Sequence, residues 1–162
     1  MQLNERSWAG HVISWIKEKI ANNQSIFEDA TNDPGLKTES GRTKFPDIIL
    51  YLNKVSGIVF NGWELKFPDT SASDQEMLLN ALEKAKALQS NSFVTWNGSE
   101  AIIWGISDDN YDLNSLTPLK RYPPDPEITS RNDLAIWDNY QKHEPKLKAT
   151  LNSILNDLRQ LH

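Results

Sequence analysis

Apolar residues at Trp8, Val12, Trp15, Ile16 and Ile20 recur at helical spacing, with Asn4 placed before them as a cap. The pattern predicts a helix from Glu5 to about Ile20. Asn22-Asn23-Gln24-Ser25 ends it, Ser25 to Ala30 reads as a short strand, and Asn32-Asp33-Pro34-Gly35 reads as a turn. Phe45 to Asn53 and Gly57 to Lys66 read as two strands joined by a hairpin-length connection, hence antiparallel. Pro46 stands at the start of the first, where a strand tolerates proline. A loop from Pro68 to Ser73 leads into Ser73-Asp74-Gln75-Glu76, which fits a capping box, and a helix follows to about Leu88. Its apolar face is Met77/Leu78, Ala81, Ala85 and Leu88, and the alanines allow close approach to a sheet.

Ser92 to Thr95 and Glu100 to Ile106 form a further strand pair around Asn97-Gly98, read as a two-residue hairpin turn. Asp108 to Pro126 is irregular and reads as a loop or linker. Thr129 to about His143 suits a short helix, and Pro145 then starts a last one. In that helix Leu147, Leu151, Ile154, Leu158 and Leu161 alternate by fours and threes, the spacing of a coiled-coil seam. The seam fits a helix packed back on its own domain, or alternatively a homodimer or a contact with a partner. The element order predicts an α/β fold, a mixed central sheet flanked by helices with a C-terminal helical extension. The expected division is a core over 1–106, a linker over 107–128 and the extension over 129–162.

Composition narrows the function classes. The 162 residues suit one domain with a real core, and 38% hydrophobic with 24% charged residues is globular. No cysteine is present, so disulfides and thiolate zinc sites are excluded; a reducing compartment fits, and the cytoplasm is the expected location. No apolar run approaches the roughly 20 residues of a membrane span. A net charge of −5 argues against a surface built for tight non-specific DNA binding, though not against an enzyme that meets DNA locally. His11, His143 and His162 lack ligand spacing. Six tryptophans include Trp8, Trp15 and Trp104 on apolar faces, which favours core packing over base stacking.

The chemistry lies in Asp47, Glu64 and Lys66. Side chains on a strand alternate, so Glu64 and Lys66 share a face and Leu65 points the other way. If the two strands pair, Asp47 at the mouth of one meets the Glu64/Lys66 pair at the end of the next. Two converging carboxylates make a hard oxygen site suited to Mg²⁺. An ammonium beside them can orient a water or offset charge on a phosphate. Taken singly, Glu-x-Lys on a strand is often a surface ion pair of little worth. Glu5 begins the inward stripe of the first helix; it reads either as part of this group or as an acid favoured by the helix dipole. The polar stretch from Lys37 to Lys44, with Lys37, Arg42 and Lys44, reads as a mobile loop, either touching phosphates or simply solvated.

Phe45-Pro46-Asp47 followed on the next strand by Glu64-Leu65-Lys66 resembles the signature of the PD-(D/E)XK nuclease superfamily. The element order from Asn4 to about Ile106 is similar to that family's α-β-β-β-α-β core. Glu64-Leu65-Lys66-Phe67-Pro68, then Asn80-Ala81 with Ala85, then Thr95-Trp96-Asn97-Gly98, looks like nuclease domains at the N-termini of restriction–modification polypeptides. The resemblance implies a restriction-endonuclease-like fold and a Mg²⁺-dependent DNA endonuclease in which Mn²⁺ substitutes. Asp47, Glu64 and the Leu65 carbonyl would hold the metal, Lys66 would position or activate the attacking water, and Glu5 would be the helix-borne acid. Lys44, Arg42, Asn80 and Lys84 complete the expected nucleic-acid contacts. The family often has glutamine and tyrosine where this chain offers Asn80 and Lys84. DNA is the expected partner, with a downstream helicase or methyltransferase domain, as in a fragment of a larger restriction or phage-defence polypeptide. Two alternatives stand beside this reading: a non-catalytic nuclease-like docking module, and a structure-specific repair or junction nuclease.

Overall fold

A computed structural model describes residues 2–22, 25–32, 36–37, 43–44 and 47–162, the four residues at 36–37 and 43–44 by their backbone alone. The first helix, α1, spans Glu5–Ala21. Asn4 caps it, its Oδ1 accepting the Ser7 N–H at 2.7 Å, so one of the donors that a helix start leaves unpaired is satisfied. Trp8, Val12, Trp15 and Ile16 are buried as their spacing requires, together with Ala9 and Ile13.

The strands are β1 (Asp29–Thr31), β2 (Leu36–Lys37), β3 (Thr43–Lys44), β4 (Ile48–Asn53), β5 (Ile58–Leu65), β6 (Ser92–Trp96), β7 (Ala101–Ile106) and β8 (Leu116–Tyr122). Six of them form a mixed sheet in the order β1-β4-β5-β6-β7-β8, while β2 and β3 pair as a separate ribbon. Among the described strands only β5 and β6 run parallel. That pair needs a crossover, which α2 (Gln75–Leu88) supplies. In the antiparallel β4–β5 pair, Ile48 lies opposite Trp63 and Ile49 opposite Gly62. The start of β4 and the end of β5 therefore share one rim of the sheet.

Each face of the sheet has its own core. Trp63, Leu65, Val94, Trp96 and Ile103 pack with Trp8 of α1 and with the last helix, α4 (Trp137–Gln160). Phe93, Ile102, Trp104 and Ile106 pack on the other side with Leu78, Ala81, Leu82 and Ala85 of α2. The result is a three-layer α/β arrangement. Trp8, Trp15, Trp63, Trp96 and Trp104 are all buried, so these tryptophans serve packing.

The structure departs from the sequence reading in six places. Residues 107–128 are not a linker, because Leu116–Tyr122 adds the edge strand β8 along β7. Five of its seven residues are exposed and Pro118 lies within it, so no alternation marked it as a strand. Pro145 does not start the last helix: α4 begins at Trp137 after the single turn α3 (Asn132–Ala135) and carries Pro145 inside it. Leu147, Leu151, Ile154 and Leu158 are buried in the same core as α1, so 129–162 is part of that core and the seam is not free for a dimer. Leu161 is 48% exposed.

The β6–β7 turn takes four residues, 97–100, with Trp96 opposite Ala101. Asn97 Oδ1 accepts the Ser99 and Glu100 N–H groups, and Gly98 takes φ +87°, which glycine adopts freely. The cap of α2 is Asp74, whose carboxylate accepts the Met77 N–H. The stretch read as a loop over 37–44 includes the β2–β3 ribbon, with Leu36 opposite Lys44. Asp33, Pro34, Gly35, Phe45 and Pro46, on which a turn and a strand start were expected, lie outside the described residues. Among the described residues no helix is long and apolar enough to cross a membrane.

Candidate functional site

The site grows out of the mismatch between β4 and β5. Pairing with β4 stops at Trp63, but β5 continues to Leu65 alongside β6. The Lys66 N–H turns toward β6 and donates to Trp96 O at 3.0 Å. The Leu65 N–H therefore faces the β4 side, where no strand residue meets it. Asp47, one residue ahead of β4, takes it: Oδ2 accepts the Leu65 N–H at 2.7 Å. A strand residue sends its N–H and C=O to the same side, so the Leu65 carbonyl faces Asp47 as well.

Glu64 alternates away from Leu65, toward α2, and is only 7% exposed. Its Oε1 accepts from the Lys84 ammonium at 2.5 Å, and Lys84 is only 8% exposed. Glu64 and Asp47 lie close enough for each carboxyl to act on the ionisation of the other. Burial pushes the Glu64 carboxyl up to about 7 from an ordinary 4.5; the Asp47 charge adds to the rise and Lys84 opposes it. Burial also raises Asp47, against the Leu65 N–H and the charges of Lys84 and Lys66. The arrangement is two neighbouring carboxyls, Glu64 buried and Asp47 half-buried, with one buried ammonium against Glu64.

Lys66 is half-buried and lies near enough to Asp47 to act on its charge. Its backbone is held on both sides, by Trp96 O and, through the next residue, by Glu5. Glu5 Oε2 accepts the Phe67 N–H at 3.0 Å. That places Glu5 at the same rim but commits it to the backbone. Among the described residues no three acids or histidines gather closely enough to hold a metal ion, so Glu5 does not join Asp47 and Glu64 in one ligand group. The loop after Lys66 is fixed from the β6–β7 turn: Glu100 Oε1 accepts the Ala72 N–H at 2.9 Å, and Asn97 Nδ2 donates to Thr70 O at 2.7 Å.

Of the four expected nucleic-acid residues, only Asn80 and Lys84 have described side chains. Lys84 points inward to Glu64 and offers no ammonium at the surface. Asn80 is half-buried one turn earlier on α2. Lys44 is described by backbone only, and Arg42 lies outside the described residues. The role of Lys84 as partner of Glu64 was missed, though the sequence carried a signal for it. Lys84 is three residues after Ala81 and one before Ala85, within the stripe that α2 buries. A cation inside an apolar stripe calls for a buried acid opposite, and Glu64 is the acid that β5 turns to that side.

Comparison with known proteins returns no match for this chain among family models, curated proteins or solved structures.

Proposed function

We propose that the chain is a divalent-cation-dependent phosphodiester hydrolase acting on DNA, with a restriction-endonuclease-like fold and a place in a restriction or phage-defence system. One observation carries the reading: Asp47 at the mouth of β4 and Glu64 at the end of β5 come together at one rim of the sheet, with the Lys84 ammonium on Glu64 and Lys66 near Asp47. The donor set fits a hard cation, because two neighbouring carboxylates and a backbone carbonyl are oxygen donors and a metal ion offsets the repulsion between the two charges. Asp47, Glu64 and the Leu65 carbonyl would hold Mg²⁺, with Mn²⁺ as substitute. When bound, the ion supplies Lewis acidity and lowers the pKa of a coordinated water.

The chain's own groups do the positioning. Asp47 stays aimed at the rim because Leu65 N–H fixes one of its oxygens. Lys66 presents its ammonium beside Asp47 from a backbone clamped by Trp96 O and, at Phe67, by Glu5. From there it orients the attacking water and offsets the charge that builds on the phosphate. Glu5 is a positioning residue in this scheme rather than a ligand. The plan is tested on supercoiled plasmid DNA. Nicking with Mg²⁺, none in EDTA, and loss of activity in Asp47→Ala and Lys66→Ala support it; cleavage that survives both substitutions rules this site out.

A second reading is a non-catalytic docking module of the same fold. It is favoured by the buried Glu64–Lys84 pair, which gives Glu64 a structural use, and by the absence of a third acid at the pair among the described residues. It predicts DNA or partner binding with no metal-dependent cleavage.

A further inference from the structure

We infer that Lys84 is the resident counter-ion of the Asp47–Glu64 pair and weakens the affinity of that pair for a divalent cation. The inference rests on the metal site proposed above and goes beyond it, because it assigns a role to a residue on a different element. The argument is a charge count. With both carboxyls ionised the pair carries two negative charges, and Lys84 cancels one of them. A divalent cation then leaves the buried cluster with a net positive charge. With Lys84 gone, the same cation and the two carboxylates sum to zero, and the positive charge left nearby is that of Lys66 at the half-buried rim, the better outcome beside a Glu64 that water hardly reaches.

The geometry keeps Lys84 from stepping aside. Its ammonium lies 2.5 Å from Glu64 Oε1, and both side chains are about nine-tenths buried. Beside them is a cavity of about 10 Å³, lined by Gly62, Glu64, Ala81, Lys84, Ala85 and Phe93. That is room for no more than one water, so this cavity gives the ammonium no second seat beside Glu64. On the helix Lys84 is flanked by buried Ala81 and Ala85, which hold its stem against the sheet. A charge fixed this close to a cation acts on it in a medium of lower dielectric than water.

The test is a Mn²⁺ titration of the whole chain, followed by calorimetry or by loss of the free-ion resonance signal, with no DNA present. Lys84→Met is expected to bind Mn²⁺ at least about tenfold tighter than the unsubstituted protein. Lys84→Arg, which keeps the charge, is expected to bind as the unsubstituted protein does. Should Lys84→Met fail to fold without metal, Lys84→Gln takes its place in the titration, with the same expected gain. If Asp47→Asn abolishes binding while the neutral substitutions leave affinity unchanged or weaker, the inference about Lys84 is wrong and the metal site stands. If no protein in the set binds Mn²⁺, or if Asp47→Asn binds as before, the metal site itself is wrong and this inference falls with it.

Discussion

On β5, Trp63 and Leu65 face α1 and α4, whereas Gly62 and Glu64 face α2, and the two sides are built to different rules. Toward α1 and α4 the strand meets large side chains: Trp8, Trp96, Tyr140 and the Leu147–Leu158 stripe, all at or near zero exposure. Trp8 and Trp96 meet edge to face with ring centres 5.3 Å apart, a favourable aromatic arrangement. Toward α2 the contact residues are small, Ala81 and Ala85, and the helix comes close enough for Lys84 to reach Glu64. At β5 one face is given to apolar burial alone, and the other, beside the smaller apolar cluster under α2, brings charges together. The difference teaches that stability and chemistry are separated by the pleat of a single strand.

The largest expected effect lies on the apolar face. Leu151→Asp places an unpaired carboxylate among residues that are fully buried, at a cost above about 4 kcal/mol. Loss of cooperative thermal unfolding by circular dichroism is the expected result. A folded monomer instead would mean that α4 is dispensable to this core. Next comes Ala81→Leu on the other face. Added methylenes must push α2 off β5 and β6, costing about 1–3 kcal/mol by denaturant titration.

A smaller effect of opposite sign is expected at Asp47. The folded Glu64 holds its proton up to about 7, whereas the unfolded chain releases it near 4.5. Between those values the native state binds more protons, so this group makes stability fall as pH rises through that window. Asp47→Asn removes the charge that adds to the rise and leaves Glu64 paired with Lys84. The metal-free variant should be more stable than the unsubstituted protein at pH 8, by about 1–2 kcal/mol, and nearly equal to it at pH 5. Thermal melts at the two pH values read this out; a variant destabilised at pH 8 would contradict it. The smallest effect belongs to the sheet edge. Tyr122 of β8 donates a hydrogen bond to Asp157 of α4, and Tyr122→Phe should cost at most about 1 kcal/mol.

The apolar face was far more legible in the sequence than the polar one. Helical periodicity put Trp8, Val12, Trp15 and Ile16 on the core side of α1, and the Leu147–Leu158 stripe was visible in the same way. The edge strand β8 was hidden because exposed edge residues need no alternation and Pro118 argued against a strand. The start of α4 was misplaced because Pro145 looked like a first-turn proline, yet the helix runs through it. At the site, alternation along β5 and the order of two neighbouring strands were enough to bring Asp47 near Glu64. They were not enough to find Lys84, because that contact depends on how closely α2 lies against the sheet. Nor did they show that Glu5 is engaged by the Phe67 N–H, since the angle at which α1 meets the sheet is set by packing.

The central proposal is that the Asp47 and Glu64 carboxyls, which meet at the sheet rim, take up a divalent cation. The most direct measurement is a crystal soaked in Mn²⁺ with anomalous data collected at the manganese edge. The account predicts a single strong peak within ligand distance of the Asp47 and Glu64 carboxylates and the Leu65 carbonyl. Bound manganese elsewhere, or none at saturating Mn²⁺ with the Glu64–Lys84 ion pair still in place, would contradict it.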